Sequence, residues 1–281
     1  MAEAITGIPT LALNDGHSLP AVGLGTYKLD GDEGTEAVKS ALATGYRLLD
    51  TALNYKNEDA VGRAVRETDV PRDEIIVTSK LPGRFHGYDE TLKAFEETRT
   101  NLGLEHVDLY LIHWPLPRID KYVESFKAFA KLREEGLVTS IGVSNFTKEH
   151  LERVRDETGI VPAVNQVELH PYFPQAALRA VHADLGIVTE SWSPIGKQSE
   201  LLTEDVILEV AKAHEVSPTQ VVVRWHVQIG AIPLPKSGDA GRQRENLDVF
   251  GFELTDEEVA RISGLERGRL WDGDPETHEE F

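Results

Sequence analysis

The chain has 281 residues, 27% of them charged and 40% hydrophobic, the balance of an ordinary soluble globular protein, and no apolar run approaches the roughly 18 residues that span a bilayer. Its 48 acidic and 29 basic residues leave a net charge of −19, which repels phosphate backbones, argues against nucleic-acid partners and obliges any anionic ligand to find a local basic pocket. With no cysteine, disulfides, thiolate metal sites and cysteine nucleophiles are all excluded.

The first ten residues, MAEAITGIPT, carry neither a basic segment nor an apolar core of the kind that directs secretion, so a cytoplasmic location is expected. Next comes LALNDGHSLP, two short apolar runs around Asp15-Gly16, which reads as a β-hairpin plugging the bottom of a barrel. From residue 21 onward, runs rich in Val, Ile and Leu alternate with helix-like segments. The strand candidates are 21–26, 47–51, 74–80, 107–114, 138–144, 163–169, 186–192 and 231–236. An extra helix is expected after the seventh of these, within 193–215, and a closing helix at DEEVARISGLE. Eight β-then-α units, with no linker or shift in composition between halves, point to one closed (β/α)8 TIM barrel over residues 1–281, with an open doubly wound sheet as the rival.

In such a barrel the chemistry lies at the C-terminal ends of the strands. Those ends carry Thr26, Asp50, Lys80, His113, Ser144 with Asn145, Gln166 with Glu168, Ser193 just past Trp192, and Lys236. Singly, each has a structural explanation: a helix cap, a solvated charge or a core histidine. A full ring of polar strand ends is harder to explain that way. Within it, Asp50, Tyr55, Lys80 and His113 form a proton-delivery set. An ammonium beside a phenol is expected to lower its pKa from about 10 toward a useful range, each unit being worth about 1.4 kcal/mol. Asp50 would hold Lys80 charged, His113 would offer an N–H to a substrate oxygen, and Asn57 would cap the helix that follows Tyr55.

Other chemistries fit less well. GVSNF departs from the nucleophile elbow at its last position, and no histidine spacing suits a catalytic metal. A glycosidase pair of Asp50 and Glu168 leaves the lysine and tyrosine without work. GLGTYK lacks the third glycine of a dinucleotide fingerprint, so a dinucleotide would bind by other means.

Taken together, GYRLLDTALNYKNEDAVGRAV, the lysine of VTSK, DLYLIHWP, IGVSNF, NQVELHPY, WSPIG, and LPKS followed by Arg242 and ENLDVF resemble the aldo-keto reductases over nearly the whole chain, and particularly short bacterial members similar to 2,5-diketo-D-gluconate reductases. The resemblance implies NADPH extended across the barrel mouth and carbonyl reduction without a metal. It gives Asp50, Tyr55, Lys80 and His113 as the catalytic tetrad, with Tyr55 as general acid. It implies that Ser144, Asn145 and Gln166 hold the nicotinamide carboxamide, with Thr26 nearby and Trp192 stacked on the ring. Ser193, Ile195, Gly196 and Lys197 would follow the pyrophosphate. Lys236, Ser237 and Arg242 match the contacts to the 2′-phosphate, and Glu245 and Asn246 those at adenine; two cations at that phosphate favour NADPH over NADH. Tyr27, Trp114 and Trp271 are the expected walls of the substrate pocket.

Three departures stand out. Leu81-Pro82-Gly83 replaces the usual Leu-Trp after Lys80, which removes an aromatic wall and leaves Phe85, His86 or nothing to take its place. The tail from Arg267 offers only Trp271 as an evident lid residue. Gly238, Asp239, Ala240 and Gly241 alter the 2′-phosphate loop, where an inward-pointing Asp239 would weaken binding. The expected protein is a monomeric NADPH-dependent reductase of small aldehydes, ketones or dicarbonyls. The alternative is an NADPH-binding regulatory or sensing barrel with little turnover.

Overall fold

The computed structural model describes residues 4–197 and 199–280. β1 (Thr10–Ala12) and β2 (Ser18–Pro20) pair antiparallel. Their turn is closed by a 2.8 Å bond from the Leu13 N–H to the His17 carbonyl, as the Asp15-Gly16 signal predicts. Eight further strands follow: β3 (Leu24–Gly25), β4 (Leu48–Asp50), β5 (Ile76–Leu81), β6 (Val107–Ile112), β7 (Val138–Ser144), β8 (Val164–Glu168), β9 (Val188–Trp192) and β10 (Ala231–Pro233). Each is hydrogen-bonded in parallel to the next in chain order. The first and last strands then meet: the Gly23 N–H donates to the Pro233 carbonyl at 3.1 Å and the Gly25 N–H to the Pro235 carbonyl at 3.2 Å.

That closing seam is one-way. Pro233 and Pro235 have no N–H to return, so the regular ladder is lost there. This is why the strands expected at 21–26 and 231–236 shrink to Leu24–Gly25 and Ala231–Pro233. The other six strands lie where the apolar runs place them.

Helices alternate with the strands: α1 (Gly31–Thr44), α2 (Glu58–Glu67), α3 (Tyr88–Leu102), α4 (Tyr122–Glu134), α5 (Lys148–Thr158) and α6 (Ala176–Leu185). After β9 come the extra helix α7 (Asp205–His214) and then α8 (Pro218–Gln228). The second begins where it does because Ser217 and Gln220 form a reciprocal capping box with Pro218 at the first helical position. After β10 lie α9 (Ala240–Leu247) and α10 (Asp256–Ser263). The short α9 escapes a periodicity search because AGRQRENL has no apolar stripe. It starts because the Asp239 carboxylate accepts the Arg242 N–H at 2.9 Å.

Strand alternation sorts the side chains. Leu49, Val77, Tyr110 and Ile112 pack outward under the helices, while Leu48, Leu109, Leu111, Val164, Val188 and Ile232 fill the barrel interior. The hairpin residues Leu13 and Leu19 belong to that interior cluster, so β1 and β2 do close the bottom. The interior has no slack: a Cβ on Gly23 would lie 2.6 Å from Leu234 Cδ2 and 2.8 Å from Leu48 Cδ2. Two residues above this apolar layer, the same alternation brings Asp50, Lys80, Gln166 and Glu190 inward, each at most 4% exposed. A polar layer resting on an apolar one is what positions the site. Among the described residues no helix is long and apolar enough to cross a membrane.

Candidate active site

Lys80 is the centre of the polar layer. Its Nζ donates to Asp50 Oδ2 at 2.7 Å, to the Thr51 carbonyl at 3.0 Å and to the Tyr55 hydroxyl at 3.4 Å. The lysine side chain has no exposed surface. Burial, the largest single influence, works against its charge, but Asp50, Tyr55 and Glu190 together outweigh it and hold the ammonium above its ordinary pKa. Tyr55 reaches this point from the short turn Leu53–Tyr55 after β4. Its ring meets those of Tyr27 (5.2 Å between centroids) and His113 (5.9 Å) edge-on.

The four residues of the expected tetrad therefore come together, with one correction to their electrostatics. Burial pushes the Tyr55 phenol above its usual value; Lys80 pulls it down without overcoming that effect, and Asp50 adds to the rise. The resting group is a fully protonated, weaker acid, because desolvation of a phenolate outweighs one ammonium that is already shared with Asp50.

The residues expected to hold a nicotinamide carboxamide are neighbours but are bonded to one another. Ser144 Oγ donates to the Gln166 carbonyl at 2.7 Å. Asn145 Nδ2 donates to the His113 carbonyl and to Ser144 Oγ, each at 3.0 Å, and its Oδ1 accepts from Trp192 Nε1 at 2.8 Å. Gln166 Nε2 points into the barrel, donating to Asp50 Oδ1 at 2.8 Å and to Glu190 Oε2 at 2.9 Å. Thr26 Oγ1 donates to the Asp50 carbonyl at 2.9 Å, which locks β3 to β4.

Around the mouth, Trp192, Ser193 and Ile195 are half-buried, Gly196 is buried and Lys197 is exposed. Lys197 Nζ lies 5.8 Å from the Tyr27 ring and 5.9 Å from the Trp271 ring, a cation spanning two of the expected pocket walls. Trp114 is buried beneath His278, whose ring lies 4.0 Å away. Exposed Lys236 and buried Ser237 lie just before α9, and exposed Arg242 with Glu245 and Asn246 lie within it. Asp239 does not intrude as an unpaired charge: it caps α9, and its Oδ1 lies 3.9 Å from Arg242 Nε.

One further expectation is corrected, and one open alternative is decided. Asn57 stands at the start of α2 without capping it through its side chain. Its Nδ2 donates instead to the Thr26 and Leu29 carbonyls at 2.7 and 2.9 Å, and its Oδ1 accepts from Thr51 Oγ1 at 2.8 Å, tying the loop after β3 to the Tyr55 turn. The missing aromatic wall is replaced by neither Phe85 nor His86. Phe85 packs against the main core, and His86 is buried, its pKa pushed down to about 4 by desolvation.

The space beside Gly83 is occupied by the chain's own tail. Glu280 approaches His113 Nδ1 to 2.6 Å. Glu280 lies on an aperiodic segment, and no sequence signal singled it out. Glu190 was visible in principle as a carboxylate inside the apolar strand GIVTESW.

Glu190 gives a direct test of the buried layer. Burial, then the nearby charge of Asp50, pushes its carboxyl up to about 8, and its Oε1 has no hydrogen-bond partner among the described residues. The folded chain therefore keeps this proton between the ordinary carboxyl value of 4.5 and about 8, while the unfolded chain releases it. Wild-type stability is fully present below that window and falls as pH rises through it. Glu190→Gln, which cannot titrate, should gain on wild type by up to about 1.4 kcal/mol per pH unit within the window and by a constant amount above it. Urea unfolding at several pH values measures this, and a gap independent of pH would show that Glu190 is ionised throughout.

Residues 21–267 match the model of the Aldo/keto reductase family. The chain belongs to the aldo/keto reductase family. It is 60% identical to 2,5-diketo-D-gluconic acid reductase B of Corynebacterium sp. (strain SHS752001), across 98% of this chain and 99% of that one. An aldo-keto reductase of Mycolicibacterium smegmatis is 50% identical, covering 96% and 98% of the two chains. Among solved structures, Gox0644 without ligand superposes with a TM-score of 0.93 at 46% identity, covering 98% of this chain and 100% of that one. A mutant of Gox0644 solved with NADPH gives the same values. The chain is thus an oxidoreductase acting on carbonyl groups, on a TIM-barrel scaffold.

Proposed function

We propose that this aldo/keto reductase uses NADPH to reduce small aldehydes, ketones and dicarbonyls to alcohols, with Tyr55 as general acid. The observation that carries the reading is the Lys80 ammonium in contact with Asp50 Oδ2, the Thr51 carbonyl and the Tyr55 hydroxyl at once. The cofactor's demands are met by the donor set at the mouth. Two exposed cations, Lys236 and Arg242, flank the N-terminus of α9, which itself favours an anion. Lys236 has no ion pair among the described residues, and the half-buried Trp192 offers a ring face at the other end.

NADPH, when bound, supplies hydride. This chain's residues supply the rest. Tyr55 donates its proton to the carbonyl oxygen as that oxygen becomes an alkoxide, a base strong enough to take it even from a raised phenol. Lys80 stabilises the phenolate that remains, and Asp50 keeps Lys80 charged and aimed. His113, 5.9 Å from the Tyr55 ring centre, supplies the second contact to the same oxygen.

NADPH oxidation against aldehydes, methylglyoxal-like dicarbonyls and keto sugars, repeated with NADH, tests the reading. The diketo acid in the name of the Corynebacterium relative adds keto sugar acids to the panel. Turnover with a preference for NADPH is expected. Arg242→Ala should raise KM for NADPH about tenfold with kcat unchanged, the value of one charge-assisted contact at an exposed site. Nucleotide binding without turnover of any carbonyl would transfer the assignment to a sensing barrel. A monomer in the cytoplasm completes the proposal, supported by a charge of −19 that keeps copies apart and by the absence of cysteine.

A further inference from the structure

The far end of the chain enters the site. After α10, the Arg267 and Gly268 N–H groups both donate to the Tyr172 carbonyl at 2.8 Å, and the Leu270 N–H donates to the buried Glu168 Oε1 at 2.7 Å. Gly273 then lies against the Trp114 ring, His278 stacks on that ring, and Glu279 pairs with Arg118. This path delivers Glu280 between Asn54, Gly83 and His113.

Glu280 Oε1 accepts from Asn54 Nδ2 at 2.6 Å, and Oε2 lies 3.4 Å from the Gly83 N–H. Only glycine suits position 83, since a Cβ there would meet the Glu280 carbonyl oxygen at 2.4 Å and Leu116 Cδ1 at 2.0 Å. Glu280 Oε1 also stands 2.6 Å from His113 Nδ1, at ion-pair distance but off the line of the ring N–H, so the contact is electrostatic before it is a hydrogen bond. His113 Nδ1 is buried there, and no described residue bonds Nε2.

We propose that Glu280 is a positioning residue for His113: it holds a proton on the buried Nδ1 and balances the charge that lets Nε2–H donate to the substrate oxygen. The inference rests on the reductase reading above. A carboxylate at Nδ1 selects the ring form protonated there, so a donor at Nε2 needs a second proton, and Glu280 supplies its counter-charge. The other titratable groups facing this carboxylate are Tyr55, His86 and His278. Burial alone would raise the Glu280 carboxyl, yet His113, Asn54 and the Gly83 N–H hold it below its ordinary value, which keeps it charged. The site therefore joins the loops after the early strands to the C-terminal segment, which sets its second proton donor.

The test uses the full-length protein, Glu280→Gln and Glu280→Asp, with NADPH and an uncharged aldehyde, alongside ¹⁵N spectra of labelled histidine. Glu280→Gln should lower kcat about tenfold with KM for NADPH unchanged, the scale of replacing a charged donor to the substrate oxygen by the neutral Nε2–H that remains. It should also remove the proton from His113 Nδ1 at neutral pH, and Glu280→Asp should recover part of both signals. Wild-type kcat in Glu280→Gln, or an unprotonated Nδ1 in the wild type, would overturn the proposal. If the wild type reduced no aldehyde, the reductase reading would fail, whereas the spectra would still decide whether Glu280 sets the state of His113.

Discussion

Tyr55→Phe should lose carbonyl reduction by about 10²–10⁴-fold in kcat, the range expected for removal of a positioned general acid. The substitution isolates the proton because it disturbs so little else. The phenyl ring left in place of the phenol keeps the edge-on contacts with Tyr27 and His113. Lys80 keeps Asp50 and the Thr51 carbonyl, so no buried charge is orphaned. NADPH binding, followed by fluorescence quenching, should change by less than about twofold, since the removed hydroxyl touches the acid apparatus and not the cations near α9. Full turnover in this variant would end the assignment of Tyr55.

Asp50→Ala should be damaging in a different way. It leaves the Lys80 ammonium with no exposed surface and no carboxylate in direct contact. Breaking one side of a buried ion pair costs about 3–5 kcal/mol, because the remaining charge has lost its compensation. The loss is expected toward the lower end, since Glu190 shares the Gln166 bridge and already senses both charges. It can ionise in place of Asp50. Activity should fall as well, because Lys80 is no longer aimed at Tyr55. The double variant Asp50→Ala with Lys80→Met should regain most of the stability while remaining inactive, since removing both charges leaves nothing unpaired. Urea unfolding and NADPH oxidation on the three proteins separate the two roles. A double variant no more stable than Asp50→Ala would show that the cost is a cavity and not a charge.

Much of the barrel is legible in the chain because parallel strands buried on both faces must be continuous apolar runs, and their spacing leaves room for one helix each. Position within a run then says which residues end a strand. Asp50, Lys80, His113, Ser144, Gln166 and Lys236 were readable on those grounds, and the extra helix α7 was readable from its own apolar face. The short α9 was not, since its start depends on one cap by Asp239 and its burial on Gln243, Asn246 and Leu247 meeting their neighbours. Asn57 shows the same limit: its residue type and place suggest a cap, but its bonds go to carbonyls on the loop after β3.

The sequence by itself pointed to the order of strands and to a barrel, and it marked Asp50, Lys80 and His113 at strand ends with Tyr55 in the loop that follows the first of them, because these follow from local periodicity and from which side chains end each run. Only the tertiary structure decided the state of those residues. Whether Tyr55 is a strengthened or a weakened acid depends on how much water is excluded around it, and that is set by packing from many elements. The proton on Glu190 depends on its closeness to Asp50 across the barrel. The partner of His113 depends on a tail that reaches Gly83 and Asn54 after running over Trp114. Electrostatic energies scale with distance and desolvation, neither of which is written in the order of residues along the chain.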